Sequence, residues 1–512
     1  MELTSFRFLN FFALLLFVYY ALPRRIRGWL LLPAGAVFYL AGTWERPWII
    51  VFPLLAVMAS FLFARFLPSA DLTGKREKLL RRVFLFSELL LLLGMLGYFK
   101  YRGLFGFSAA GGSPEILPAG ISFYTFILLG YFLDVYLGMR PAETNPVRLL
   151  AGGLYFPLLV SGPIVRYADM KQELFTPHPL SYGNLTAGLQ RMLWGFFKKL
   201  VISARLAHVA DAVFDPASTL GGANVLIGAV CFTLQLYTDF SGCMDIVLGL
   251  SETLGMTLPE NFRTPFFSET VEEFWRRWHI TLGLWLRDRL FYPLLRSRLF
   301  LWLSERFRAL FGKKRGKQVY TWLAMLVLWA AIGLWHGGAW KYVIGTGLLQ
   351  WCYIVAGECL SPLSKRLTGW STRRGLGGVL RFLRRLRTFL LLSASFVFFR
   401  AASAGQAAEL FAALLHPAGA RMNTGIGPLT EVLSPVEAAV ALTGLLLLLA
   451  AGILQYRAEQ EGKEPSRAVR ERIAGWRLPV RWAVWMLLLF GVILLGEYGS
   501  GTSAQEFIYR GF

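Results

Sequence analysis

The sequence is poor in the residues on which disulfide frameworks, metal sites and soluble surfaces depend. Its 512 residues include four cysteines and five histidines, and only 16% of them are charged. The cysteines lack the C-x-x-C or Cys/His spacing of zinc sites, and all four lie in or beside apolar runs: Cys231, Cys243, Cys352 and Cys359. We therefore expect buried free thiols, with neither a structural disulfide nor a metal.

Several catalytic signatures are also missing. The chain contains no G-x-S-x-G nucleophile elbow, no Walker A loop and no H-E-x-x-H metalloprotease motif. These absences exclude the common serine-hydrolase, P-loop and zinc-protease assignments, so any chemistry must rest on other residues.

Apolar residues are what the sequence has in abundance. They make up 55% of the chain, and the mean hydropathy is +0.50. Many runs approach the roughly 17–25 residues that cross a bilayer as a helix, and in lipid such runs must satisfy their own backbone groups. Examples are 9–22, 48–66, 83–98, 121–137, 225–250, 321–335 and 436–454. We predict an all-α polytopic membrane protein with about 11–12 transmembrane helices plus re-entrant and interfacial helices, forming one integral membrane domain over 1–512.

The net charge of +22 does not indicate nucleic-acid binding, because of where the charges lie. Of the 53 Lys and Arg residues, 39 fall in six loops that alternate with poorer ones, as cytoplasmic loops do: 23–28, 64–82, 139–148, 263–317, 361–387 and 457–481. The first span is followed by Pro23-Arg24-Arg25 rather than a cleavage site, so we expect a retained anchor. This pattern predicts a multi-pass protein of the cytoplasmic (inner) membrane, in contact with membrane lipid, with both termini outside.

Two charged segments break the pattern of clean spans. Segment 186–214 has apolar residues at helical spacing interrupted by cations, which favours an interfacial or partly re-entrant helix. In segment 259–312 we expect Ser268 to cap a helix that starts near Glu269. That helix should carry Trp275, Arg276, Trp278 and His279.

The histidines divide into two groups. His178 and His416 precede prolines in loops, and His208 lies in the amphipathic segment, so structural or interfacial roles suit these three. His336 ends an apolar run that should lie within the membrane, where an ionisable residue is costly and indicates function. His279 follows Arg276 and Arg277, whose guanidinium groups match phosphate oxygens. A histidine can take a proton from an attacking hydroxyl and return it to a leaving group.

Less specific interpretations remain open on these grounds. His336 can be an interface histidine in an aromatic belt, and His279 can lie on a helix that contacts headgroups. Asp239 and Asp245 are carboxylates within an apolar run, and together with the histidines they keep a proton-coupled transporter possible. Paired, broken spans in two matching halves, typical of repeat-built transporters, are not found in the sequence.

Six stretches, in order along the chain, resemble the bacterial branch of the membrane-bound O-acyltransferase (MBOAT) family. They are GISFYTFILLGYFLDVYLG (120–138), YFPLLVSGPIVRY (155–167), LQLYTDFSGCMDIVLGL (234–250), LPENFRTPFFSETVEEFWRRWHITLGLWLRDRLFYPL (258–294), GLWHGGAW (333–340) and EFIYRGF (506–512). The branch includes membrane proteins of alginate and peptidoglycan O-acetylation and of D-alanyl transfer to lipoteichoic acid. Two departures, Cys243-Met244 and the ending FIYRGF, do not touch the histidines.

The resemblance implies a catalytic pair, His336 in LWHG and His279 in RRWH, within a signature core over 118–360. It also implies a ring of tilted helices, with an outward funnel and a tunnel to a cytoplasmic donor. Substrate contacts are expected from Trp335, Trp278, Arg276 and Arg277, with Arg287 a further candidate donor contact. No tightly bound cofactor is expected, because acyl-CoA (acetyl-CoA) or an acyl-carrier thioester would serve as a donor substrate.

We predict transfer of a small acyl group to a hydroxyl of an envelope or exported polysaccharide, with acetyl as the first choice of acyl group. The partner protein that would suit this activity is either a secreted SGNH-type acyltransferase or a small acyl-carrier protein. D-alanyl transfer from a carrier protein to a teichoic-acid-type polymer is the related alternative. A catalytically idle scaffold, in which both histidines are dispensable, is a further one.

Overall fold

The long apolar runs form helices, as a lipid solvent requires of a backbone that must satisfy its own hydrogen bonds. The computed structural model describes residues 1–69, 71, 74–101, 104, 118–215, 222–415 and 432–498. Within these ranges there is no strand, and the one isolated β-bridge joins Phe262 and Trp278. The prediction of an all-α membrane protein is confirmed.

The first half of the chain contains eleven helices among the described residues. They are α1 (Phe6–Ala21), α2 (Arg27–Gly42), α3 (Val51–Arg65), α4 (Lys75–Lys100), α5 (Ile121–Tyr136), α6 (Pro146–Gly153), α7 (Phe156–Ser161), α8 (Tyr167–Phe175), α9 (Tyr182–Phe196), α10 (Ala204–Phe214) and α11 (Ala223–Thr253). The longest of them are α4 and α11. A π-helical turn, Phe197–Ser203, joins α9 to α10.

The second half contains the longest helix. The helices are α12 (Val271–Arg277), α13 (Ile280–Leu286), α14 (Tyr292–Leu295), α15 (Arg298–His336), α16 (Trp340–Tyr342), α17 (Leu349–Cys359), α18 (Ser361–Arg373), α19 (Gly377–Arg400), α20 (Ala404–Leu415), α21 (Pro435–Gln460), α22 (Pro465–Ala474) and α23 (Leu478–Leu495). Two further π-helical turns are Arg287–Phe291 and Val343–Leu348.

Five helices of the described residues are long and apolar enough to cross a membrane, and they become six if one bent pair is a single span. The five are Pro47–Arg65, Ala223–Thr253, Arg298–His336, Pro435–Gln460 and Leu478–Leu495. Helix α15 is kinked at Gly312, whose φ of 77° is a conformation that glycine adopts without strain. The count of 11–12 crossings stays a prediction.

Contacts between residues group the chain into two compact units. The first comprises the described residues of 1–196 and 242–259, and the second comprises those of 197–241 and 260–504. Helix α11 contributes to both. The prediction of one domain over 1–512 stays a prediction.

In the first unit, buried charges are neutralised by partners. Glu143, 4% exposed, accepts hydrogen bonds from the Tyr167 hydroxyl (2.9 Å) and from the Lys171 ammonium (2.5 Å). Arg191 donates to Asp245 at 3.0 Å. Asp245, proposed above as part of a proton path, is thus held in an ion pair.

In the second unit, the π-helical turn 197–203 is buried rather than interfacial. Lys198 and Lys199 are 4% and 2% exposed, and their ammonium groups donate to Ser241 at 2.9 Å and to Asp239. The interfacial part of the expectation over 186–214 is wrong for these two residues, because both lysines are buried and hydrogen-bonded inside the protein. The alternative of a partly re-entrant helix stays a prediction. Asp239 is ion-paired in turn.

One further expectation, about the cysteines, needs correction, and others concern residues that the structure does not describe. Cys352 and Cys359 are exposed, so burial is wrong for these two thiols, whereas Cys243 is buried. His416 and the tail 506–512 lie outside the described residues.

Candidate active site

The helix that leads to His279 begins two residues later than the sequence indicated. Thr270, not Ser268, is its cap: the Thr270 hydroxyl accepts a hydrogen bond from the Glu273 amide at 3.1 Å. The helix, Val271–Arg277, ends before Trp278 and His279. The expectation that it carries both residues is wrong, because the chain folds back at this point.

The backbone at His279 is held in a left-handed conformation. Its φ and ψ are 47° and 50°, which cost a non-glycine residue roughly 1–3 kcal/mol. Two backbone hydrogen bonds fix the fold-back: Ile280 N–H to the Asn261 carbonyl (3.1 Å), and Arg263 N–H to the Arg277 carbonyl (2.9 Å). The neighbouring segment 261–263 thus supports the strained conformation, which fixes the direction of the His279 side chain.

Asn261 sets the tautomer of His279. The Asn261 side-chain oxygen accepts from the Thr281 amide (3.1 Å) and the Thr281 hydroxyl (3.0 Å). An amide N–H can only donate, so the atom facing it must be the oxygen of Asn261. His279 Nδ1, 3.3 Å from the same oxygen, must therefore carry its proton and donate it. The lone pair of the ring is left on Nε2.

His279 is deeply buried and neutral. His279 is 2% exposed, and its Nε2 has no hydrogen-bond partner among the described residues. Burial lowers the pKa of His279 well below its usual range, and a positive charge on the nearby His336 lowers it further. At neutral pH the ring is therefore an uncharged base with a lone pair available.

His336 repeats this arrangement at the last residue of α15. Its Nδ1 lies 2.8 Å from the Ile332 carbonyl, which can only accept, so Nδ1 carries the proton. The Thr346 hydroxyl, whose own proton goes to the Tyr342 carbonyl (2.9 Å), lies 3.1 Å from the same nitrogen. When the ring is neutral, Nε2 is therefore again the nitrogen with the lone pair. His336 is 2% exposed.

Trp335 lies between the two histidines. Its ring centroid is 5.2 Å from that of His279 and 5.2 Å from that of His336. Phe240 contacts His279 at 5.0 Å and Phe399 contacts His336 at 5.6 Å, both edge to face. The structure thus brings together the two histidines and Trp335 inside an aromatic shell, which excludes water and strengthens electrostatic interactions.

Small residues let the end of α15 approach the π-helical turn 343–348. A β-carbon at Gly333 would lie 2.7 Å from the Val343 α-carbon, and one at Gly337 would lie 2.3 Å from the Tyr342 ring. Both contacts are shorter than real side chains allow. Glycine at these two positions is therefore what places His336 and Thr346 within hydrogen-bonding distance.

A buried polar network supports the site from behind. The Gln350 side-chain oxygen accepts from the Trp275 indole N–H at 2.9 Å, and its amide nitrogen donates to Ser395. The Ser395 hydroxyl donates to the Gly345 carbonyl at 2.6 Å. This network ties α12, α17 and α19 to the turn that carries Thr346, so the two histidines lie on connected supports.

The remaining predicted contact residues lie in other surroundings. Trp278 is 1% exposed and packs on Phe262 and Phe274. Arg276 is exposed and pairs with Glu272, and Arg277 pairs with Glu273 (3.1 Å) and Glu459 (2.6 Å). The exposed Arg287 pairs with Asp288. Their proposed substrate contacts stay predictions.

Sequence reasoning missed Asn261 and Thr346. Asn261 stands in the resembling stretch LPENF, 18 positions before His279. Its role depends on the fold-back between 261–263 and 277–280, a long-range pairing that no local pattern reveals. Thr346 is ten positions after His336 and reaches it only through a π-helical turn.

The arrangement of the two rings is suited to proton transfer. Two imidazoles, each with Nδ1 hydrogen-bonded and with Nε2 holding the lone pair when the ring is neutral, suit a general base that returns its proton. No group of three metal-ligating side chains occurs among the residues that the structure describes.

Comparisons with known proteins show which family the sequence resembles. The model of the MBOAT, membrane-bound O-acyltransferase family matches residues 143–398, half of the chain, and both histidines lie within the match. A probable alginate O-acetylase of Azotobacter vinelandii is 31% identical over 465 residues, covering 88% of this chain and 84% of that protein. A peptidoglycan O-acetyltransferase of Helicobacter pylori is 30% identical over 63% of this chain and 62% of its own length. A teichoic acid D-alanyltransferase of Bacillus subtilis is 29% identical over 44% of this chain and 55% of its own length.

Proposed function

This chain belongs to the membrane-bound O-acyltransferase family, and from that premise we propose that it transfers an acetyl group from a cytoplasmic thioester to a hydroxyl of a cell-envelope or exported polysaccharide. It is an O-acyltransferase and a multi-pass membrane protein. The similarity to O-acetylases over most of the chain favours acetyl.

One observation carries the assignment of the catalytic pair. His279 lies between α12 and α13 and His336 ends α15, yet both rings contact Trp335, and both have Nδ1 held by an acceptor. Nothing in the packing of an apolar core requires two buried imidazoles with the same tautomer. A shared role in proton transfer explains why both are there.

The reaction step is a general-base acyl transfer. His336 Nε2 takes the proton of the acceptor hydroxyl as its oxygen forms a bond to the thioester carbonyl carbon. The tetrahedral intermediate collapses with cleavage of the carbon–sulfur bond, and the imidazolium returns the proton to the departing thiolate. His279 orients the donor or shares the proton, because its ring is neutral and its Nε2 has a lone pair that can accept a hydrogen bond or a proton.

The surroundings of the reaction follow from the charge distribution. We place the protein in the cytoplasmic membrane with both termini outside, so that the basic loops and the donor are inside. Acetyl-CoA is the first-choice donor, and a carrier-bound thioester is the second. A secreted SGNH-type acyltransferase would complete the transfer if the polysaccharide is modified beyond the membrane.

D-alanyl transfer to a teichoic-acid-type polymer is the second candidate, and the similarity to D-alanyltransferases favours it over 44% of the chain. The transporter alternative has less support, because Asp239 and Asp245 are each held in an ion pair.

The proposal is tested with the protein in nanodiscs, supplied with acetyl-CoA and a polysaccharide acceptor, with thiol release as the measurement. We expect turnover in the wild type and a loss of about 10²–10⁴ in kcat for His336→Ala. His208→Ala is the matched control, because His208 pairs with Glu497 and is outside the pair of catalytic histidines.

Each outcome bears on a different part of the proposal. Activity of His336→Ala equal to that of the wild type rules out His336 as the base. Turnover with a D-alanyl carrier thioester but not with acetyl-CoA replaces the acetyl assignment with the second candidate. Ion-dependent flux without transfer of any acyl group would support the transporter instead.

A further inference from the structure

The segment 361–387 forms a strongly basic pair of helices, which we call the basic hairpin. It comprises α18 and the first eleven residues of α19. It contains eight Lys and Arg residues and no Asp or Glu. Helix α18 is bent by 60° from the apolar helix Trp340–Cys359 that precedes it. The first helix of the hairpin therefore points away from the axis of that apolar helix, and all charged residues of the hairpin are positive.

Helix α18 exposes large apolar side chains beside its cations, unlike a helix on a water-soluble surface. One polar edge of the helix contacts α19: the Arg384 guanidinium donates to the Ser364 hydroxyl (3.0 Å) and the Thr368 hydroxyl (2.7 Å), and Ser371 is 2% exposed. A stripe of large apolar side chains at helical spacing is exposed instead: Leu360, Leu363, Leu367 and Trp370, each 46–61% exposed.

The start of α19 adds a second apolar stripe. Its exposed side chains are Val379, Phe382, Leu383 and Leu386, each 41–63% exposed, at positions that share a helical face. From Thr388 onward the helix is increasingly buried. Exposed apolar surface of this extent marks an interaction site rather than a face in water.

The cations of the hairpin divide into paired and available ones. Arg384 is ion-paired with Glu269, and Arg387 donates to the Glu269 carbonyl. Four others form no ion pair with any carboxylate of the described residues: Lys365, Arg366, Arg373 and Arg381. The Arg374 guanidinium lies 5.0 Å from the Trp370 ring centroid. A tryptophan beside cations is typical of the membrane–water interface.

We propose that the basic hairpin is a binding surface for anionic phospholipids. The leucines and Trp370 lie among the upper acyl chains, and the four available cations contact headgroup phosphates. An acidic soluble protein would complement the cations but leave both apolar stripes in water. A membrane surface covers both kinds of residue at once, and it therefore fits the observations better.

The test is hydrogen–deuterium exchange of the full-length protein in nanodiscs of phosphatidylcholine, with and without phosphatidylglycerol. We expect slower exchange of 361–387 when phosphatidylglycerol is present at low salt, because each cation engaged strengthens binding to the anionic surface by about fivefold. A variant with Lys365→Gln, Arg366→Gln, Arg373→Gln and Arg381→Gln should lose the difference. The control carries Arg467→Gln, Arg470→Gln, Arg472→Gln and Arg477→Gln, which removes the same charge elsewhere, and it should keep the difference.

The proposal is overturned if the wild type exchanges equally in both lipids, or if the hairpin variant keeps the difference. It is also overturned if only an added acidic carrier protein slows exchange. Should the hairpin variant fold poorly, the wild type at high salt gives the same information, because screening must remove the effect of phosphatidylglycerol.

Discussion

At the scale of single residues, the site depends on how each histidine is held. His279 occupies a strained left-handed conformation and owes its tautomer to Asn261. His336 owes its tautomer to a carbonyl one turn earlier in its own helix. Two unrelated local arrangements produce the same tautomer, with the proton on Nδ1 and the lone pair of the neutral ring on Nε2. This convergence is the strongest structural reason to assign proton transfer to both rings.

Asn261→Asp should move the acidic limb of the pH–rate profile to higher pH. A carboxylate beside Nδ1 stabilises the protonated ring and raises the pKa of His279, by roughly 1–3 pH units. The neutral base is then present only at higher pH. The measurement is kcat/KM of acyl transfer against pH, and Asn184→Asp, an exposed residue of α9, is the matched control. An active Asn261→Asp protein with an unshifted profile would show that His279 does not take part in proton transfer.

At the scale of elements, the close approach of α15 to the turn 343–348 determines the geometry of the site. Gly333 allows the two backbones to meet, and the turn is π-helical, a form often found at functional sites. The Gln350–Ser395 network holds the other side of the same turn. Thr346 therefore reaches His336 through a contact between elements, which has no local sequence pattern.

Gly333→Ala should lower both the thermal stability and the activity of the protein. The new β-carbon would meet the Val343 backbone, and overpacking of this kind costs about 1–3 kcal/mol. Fluorescence-detected size-exclusion chromatography after heating gives the unfolding midpoint in detergent. Gly357→Ala is the control, because a β-carbon there has nothing within 4 Å. Equal midpoints for the two variants would contradict the role given to Gly333.

At the scale of the whole molecule, the distribution of basic residues predicts how the protein is oriented in the membrane. The basic residues concentrate in alternate loops, and the hairpin 361–387 combines eight cations with no carboxylate. A protein that takes a cytoplasmic thioester and an external acceptor must present the two sides of its site to different compartments. The orientation in the membrane is therefore part of the proposed mechanism.

Thiol labelling of spheroplasts tests this orientation. In a variant without the four native cysteines, Glu2→Cys should react with a membrane-impermeant maleimide, whereas Thr372→Cys should react only after lysis. Thr372 is exposed, so protection in intact spheroplasts reports sidedness rather than burial. Labelling of Thr372→Cys from outside would place the basic hairpin on the external face and contradict the predicted topology.

The sequence by itself determined the class of the protein, because lipid solvation imposes helices on long apolar runs whatever their neighbours are. The RRWH and LWHG motifs also singled out His279 and His336 from the five histidines. The tertiary structure alone decided that the helix after Thr270 stops at Arg277, that Asn261 and Thr346 hold the two rings, and that Lys199 neutralises Asp239. Each of these features depends on contacts between residues that are distant in the chain or are brought together by a π-helical turn. Local sequence patterns and helix propensities do not report such contacts.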